Sequence, residues 1–251
     1  MLGALLLMAL AYAVVGRISL LLAIPPAYAS PLYPPAGMAL VFVLLYGRRA
    51  AAAVAVGAIV INLLLNPLRA VGLAEVVIGL GAGLQALVAA ELVQRMVRQP
   101  LTLSAPRDIA RFYLFGALIG CLVSASVATA ALAVADVVPA SAWPMTWLTW
   151  WMGDALGTLI AAPILLTLAG RPREAWAPRR RTVGLTLGIV TALLVATTVL
   201  VAHWDRERVR TSFERDAAAA SMAAQAQLNT PLHALEALRG ADGATKAGFS
   251  R

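Results

Sequence analysis

Charge is scarce in this sequence. Of its 251 residues only 13% are charged and 61% are hydrophobic, whereas an ordinary soluble domain carries about 25% charge. A conventional water-soluble globule is thereby excluded. Cysteine is nearly absent. Cys121 stands alone, so no intrachain disulfide can form and no thiolate metal cluster is indicated. Within its apolar run Cys121 reads as a small packed residue. Histidine is limited to His203 and His233, each without a carboxylate or second histidine at ligand spacing, which argues against metal catalysis. The phosphate-cradling Gly-x-x-x-x-Gly-Lys loop, the His-Glu-x-x-His pair and the Gly-Gly-Asp-Glu-Phe cyclase signature are all missing, so no catalytic motif and no cofactor is implied.

What the chain does have is apolar blocks of membrane-spanning length, about 20 residues each. Seven candidate spans are read at 2–24, 36–46, 50–66, 73–94, 108–134, 147–168 and 182–203. The second is short and extends outward into the proline-rich stretch before it. The expected fold is all-α: a polytopic integral membrane bundle of about seven to eight transmembrane helices, followed by a C-terminal amphipathic helix. The triplet Ala27-Tyr28-Ala29 imitates a signal-peptidase site, but no basic stretch precedes it and Arg17 interrupts the apolar run. The segment is read as a retained first helix.

The net charge of +8 would suit nucleic acid if the arginines formed one surface, but they fall between the apolar blocks. Arg48 and Arg49 follow the second span, Arg95, Arg98 and Arg107 the fourth, and "RPREAWAPRRR" the sixth, while the alternate loops hold only Arg69. This is a topology signal. It predicts a cytoplasmic N-terminus, an extracytoplasmic tail after the seventh span, a lipid bilayer as partner and no nucleic acid.

Polar side chains inside the bilayer are costly, about 2.5–3.5 kcal/mol for a central charge. Those singled out within the spans are Arg17, Glu75, Glu91 and Asp154, with Asn62 as a milder case. Glu75 and Glu91 lie near the two ends of the fourth span and are expected to be solvated at the interfaces. Arg17 and Asp154 each lie roughly 10 Å below the outer surface at 1.5 Å rise per residue, which predicts a buried ion pair between them or two groups flanking a polar ligand. Trp150, Trp151, Gly157 and Thr158 share a helical face with Asp154, so Arg17, Asn62, Trp150, Trp151 and Asp154 form the candidate polar network. A cation-binding aromatic box is one form it could take. Trp143 and Trp147 read as an interfacial aromatic belt. The pairs Gly79 and Gly83, Gly116 and Gly120, and Gly153 and Gly157 are spaced i, i+4, as expected where helix backbones approach closely in lipid.

Two stretches, "YPPAGMALVFVLLYGRRAAAAVAVGAIVINL" at 33–63 and "WLTWWMGDALGTLIAAPILL" at 147–166, resemble the type-one membrane-associated sensor (MASE) family. The matching positions are Pro34, Pro35 and Gly37; Gly47, Arg48 and Arg49; Asn62; and Trp150, Trp151, Gly153, Asp154, Gly157 and Pro163. The resemblance spans roughly 1–203. It implies a sensory input module in a bacterial inner (plasma) membrane, responding to an unknown small-molecule or protein ligand. Such modules are joined to cyclic-di-GMP enzymes or histidine kinases. The family is described with eight spans; seven are read here.

Beyond 203, apolar residues from Val209 to Leu238 recur at three- and four-residue spacing, with Thr230 and Pro231 as a helix start and Gly240 as a stop. This stretch resembles the start of an extracellular sensing (CHASE) domain, so the chain is expected to be the front of a longer receptor that dimerises through its C-terminal region. "QLNTPLHALEALRG" imitates a histidine-kinase phosphoacceptor box, but Ala226 stands where the phosphoacceptor belongs and His233 follows the proline. Two other readings are a small-solute transporter lined by Arg17, Asn62 and Asp154, and a histidine kinase whose dimerisation helix runs over 205–240.

Overall fold

Prolines and glycines punctuate the apolar blocks, and the helices begin and end at them. The computed structural model describes residues 2–20, 30–65, 72–193 and 196. Among these every regular element is helical: α1 Leu2–Leu20, α2 Pro35–Tyr46, α3 Arg49–Leu65, α4 Leu73–Met96, α5 Pro106–Phe112, α6 Leu122–Val134, α7 Trp143–Ala169 and the short α8 Arg173–Trp176. Proline occupies the first turn of α2, α5 and α7, where the absent N–H would have had no helical partner. Gly47 ends α2 with φ +78°, and its N–H reaches Val43 O at 2.9 Å. Only glycine adopts that conformation without strain.

Among the described residues four helical segments are long and apolar enough to cross a membrane: Leu2–Leu20, Leu73–Met96, Pro106–Val134 and Ala140–Ala169. Two shorter apolar helices, α2 and α3, lie between them. The chain is a multi-pass helical membrane protein. All of these elements fall in one unit, Met1–Ala196. The expected seventh span is helical from 185 to 193; its remainder lies outside the described residues. So do the Ala27-Tyr28-Ala29 triplet, Arg69, both histidines and the whole tail read as amphipathic.

The bundle is packed with small residues inside and large ones outside. On α4, Gly79, Gly83, Ala86 and Ala90 are buried whereas Leu80 and Leu84 are exposed. That inversion suits lipid, which drives helices together through close van der Waals contact rather than by expelling water from leucines. A side chain at Gly79 would strike Ile59 and Ala55 of α3, and one at Gly83 would come within 2.9 Å of Ala51 O. Gly120 likewise faces Ala89 of α4, and Gly116 faces Leu40 and Val93.

Two features were not legible as spans. Residues Tyr113–Ile119 form π-helical turns between α5 and α6, so the fifth span is one long rod with a widened middle; π-bulges of this kind are frequent at functional sites. The stretch 30–34 is non-helical and lies against the middle of the bundle. Tyr33 N donates to Gly153 O at 3.0 Å, and the Ser30 hydroxyl lies 2.9 Å from Ser19 O and 2.8 Å from Leu32 O. Irregular backbone survives at membrane depth only where protein satisfies it. Pro31, Pro34 and Pro35 assist by carrying no N–H that would need a partner.

Candidate functional site

The motif stretches at 33–37 and 153–163 meet face to face. A side chain on Gly157 would collide with Tyr33 O and lie 2.8 Å from Pro34 N. On Gly153 it would collide with Ser30 O. Gly37 in turn would press within 2.9 Å of Gly157 O and Ala162 N. The glycines thus let α7 accept the broken segment and the start of α2 directly against its backbone. Pro163 is buried inside α7, while Arg48 and Arg49 are exposed just beyond Gly47.

This junction forms one wall of a cavity of about 680 Å³. Asp154, only 3% exposed, lies on that wall. Ser124 of α6 and Gln85 of α4 bear on its carboxylate from the facing helices. Gln85 is 4% exposed, and its Oε1 is buried with no partner among the described residues. Glu75 Oε2 is in the same condition. Tyr12 and Tyr33 pair edge to face across the cavity, ring centroids 6.4 Å apart. Trp150 and Asn62 complete the polar lining, with Asn62 Nδ2 donating to Ala58 O of its own helix at 2.8 Å. At the rim is exposed Asp136.

Of the candidate polar network, then, Asn62, Trp150 and Asp154 converge on the cavity. Trp151 does not line it: its indole N–H donates to Leu118 O at 2.8 Å, and its ring stacks on Trp147 at 6.1 Å. The ion pair expected between Arg17 and Asp154 is not formed. Arg17 is exposed, and the pair within 4 Å among the described residues is Arg95–Glu91 at 2.7 Å. Matching two charges by depth ignores rotation about the helix axis. Met8, Tyr12, Gly16 and Ser19 form the buried face of α1, and Arg17 is turned about 100° from Gly16, the angle separating neighbours at 3.6 residues per turn. Glu75, half-buried in the first turn of α4, also lines the cavity.

Gln85, Ser124, Tyr12 and Tyr33 were missed by charge-based reading. Gln85 is the one with a usable signal, a full amide in the middle of the apolar block "VVIGLGAGLQALVAAEL". Serines and tyrosines are too common in spans to stand out. Cys121 is buried, its Sγ 3.6 Å from Thr158 Oγ1, in keeping with a packing role.

The opposite end is held by arginines. Arg179 donates to Thr102 O at 2.6 Å, to Leu103 O at 3.3 Å and to Ser104 Oγ at 3.2 Å, and stacks 5.4 Å over the Trp176 ring. Arg180 donates to Thr167 O and Leu168 O near the C-terminus of α7, and Arg111 to Met96 O at the end of α4. These cations answer helix carbonyls left unpaired at the C-termini.

Comparison with known proteins supplies one match: the MASE1 family model aligns with residues 2–206. No curated protein and no solved structure matches the chain.

Proposed function

The chain belongs to the MASE1 family of membrane sensory domains, and from that premise we propose that its polar cavity is where the sensor receives its signal. The observation that carries this reading is the buried Asp154, beside Ser124 and Gln85 on the wall of a 680 Å³ space. Small-molecule sites are typically about 300–1,000 Å³ with a few converging polar groups. The lining is contributed by α1, α2, α3, α4, α6 and α7 and by the broken segment, so a ligand bound there touches nearly every helix. Its effect would be a shift between two packings of the bundle, which requires different contacts in each.

By the distribution of arginines, the cavity mouth at Glu75 and Asp136 faces the extracytoplasmic side of the inner membrane and the N-terminus is cytoplasmic. Residues 204–251 are read as the start of an extracytoplasmic CHASE-like domain, and the output as cyclic-di-GMP or histidine-kinase signalling from a homodimer. The apolar spacing of the tail and the alternation of the basic loops support this reading.

The test is a cavity-filling variant. Ala82→Phe on α4, in the cavity lining, is expected to abolish the thermal stabilisation of the full chain in lipid nanodiscs by metabolites that stabilise the wild type. Stabilisation unchanged in Ala82→Phe would place the signal elsewhere.

A further inference from the structure

The chemistry of the cavity narrows what it receives, on the premise that it is the ligand site. Its ionisable lining is acidic: Asp154 on the wall, Glu75 beside it and Asp136 at the rim, with no lysine or arginine among the described lining residues. Two acceptors, Gln85 Oε1 and Glu75 Oε2, are buried without a donor among the described residues. An unanswered buried acceptor is costly, and a ligand bearing N–H groups would recover that cost. Tyr12, Tyr33 and Trp150 supply ring surface around the same space. Among the described residues no three of His, Cys, Asp and Glu converge closely enough to hold a metal ion, so the carboxylates are spread over a volume rather than focused on a point.

We propose that the cavity binds a small organic ammonium, with its cationic N–H head at Asp154 and Gln85 and its apolar body against the aromatic rings. Asp154 supplies the charge, Gln85 Oε1 accepts an N–H group, and the ring faces favour a cation over a neutral amine. Asp136 at the mouth adds attraction before contact, since acidic clefts in a low-dielectric wall concentrate cations. A quaternary ammonium would satisfy the charge and leave Gln85 Oε1 unanswered. Primary and secondary ammonium ions are therefore preferred.

The experiment uses the full chain in nanodiscs, with Cys121→Ser to remove the native thiol and Ala82→Cys to place one on the cavity lining, a turn from Gln85. Three thiol reagents are compared, each normalised to its rate on a free thiol: neutral methyl methanethiosulfonate, its cationic aminoethyl form and its anionic sulfonatoethyl form. Local effects on the thiol itself cancel in the ratio. The expected result is reaction with the neutral reagent and a cationic rate about tenfold or more above the anionic one. The ratio should fall in Asp154→Asn, and benzylammonium should slow modification saturably where benzoate does not. If Asp154→Asn fails to accumulate, Glu75→Gln makes the same comparison. A neutral reagent that reacts while the charged pair shows no preference overturns the ammonium proposal and leaves the cavity standing as a site. Equal protection by benzylammonium and benzoate does the same. Failure of all three reagents on folded protein overturns the cavity reading itself.

Discussion

At the basic end of the bundle, Arg179, Arg180 and Arg111 each donate to carbonyl oxygens that the helices and their connecting loop leave open. At the cavity the situation is reversed: Gln85 Oε1 and Glu75 Oε2 are buried with no hydrogen-bond partner among the described residues. Both regions place costly groups in or near a lipid slab. The satisfied end fastens the loop after α4 to the segment after α7 across Trp176, whose indole donates to Leu101 O at 3.0 Å. The unsatisfied end keeps acceptors in reserve. A fully paired polar group stiffens a structure, whereas an unpaired one beside an open volume marks where something else can bind.

Three substitutions break or sharpen that contrast. The largest effect is expected at Gly157→Val, which drives a branched side chain into Tyr33 O and Pro34 N. Overpacking costs about 1–3 kcal/mol and more where backbone blocks relief, so loss of folded, monodisperse protein by size-exclusion chromatography is the expected outcome. Near-normal yield would show that the broken segment is not seated on α7. Next comes Arg179→Ala, which removes three hydrogen bonds and a ring contact from the satisfied end. A loss of about 2 kcal/mol is expected in denaturant titration. Arg179→Lys should recover little of it, because an ammonium cannot reproduce the planar fork. The smallest is Thr129→Val. Thr129 Oγ1 is buried and unpartnered but does not line the cavity. Removing it should be neutral or raise stability by up to about 1 kcal/mol, without altering modification of the cavity thiol. A clear loss of stability there would mean that unpaired groups in this bundle are structural after all.

How legible the molecule was from its sequence differs from residue to residue. The helices sit where hydropathy and prolines put them, with α4 at Leu73–Met96 against an expected 73–94. Asp154 was singled out by its cost in lipid, and the glycine pairs by their spacing; five of the six glycines lie at close backbone approaches, and Gly116 faces the side chains of Leu40 and Val93. Arg17 was assigned to the wrong environment, and Gln85, whose buried Oε1 has no partner among the described residues, went unnoticed. Its amide is uncharged, so a reading tuned to charge passes over it.

Sequence alone determined that this is a helical membrane protein, where its segments start and stop, and which loops carry the positive charge. Those are properties of each segment against the bilayer: apolar length, proline and glycine positions, and charge between blocks require no neighbour. The tertiary structure decided how each helix is rotated about its axis. Rotation sends Arg17 outward, turns Trp151 toward Leu118, and brings Gln85 and Ser124 from separate helices onto Asp154. It is fixed by which small residues permit close approach between helices. Spacing along one chain names the faces available but not the face another helix will choose.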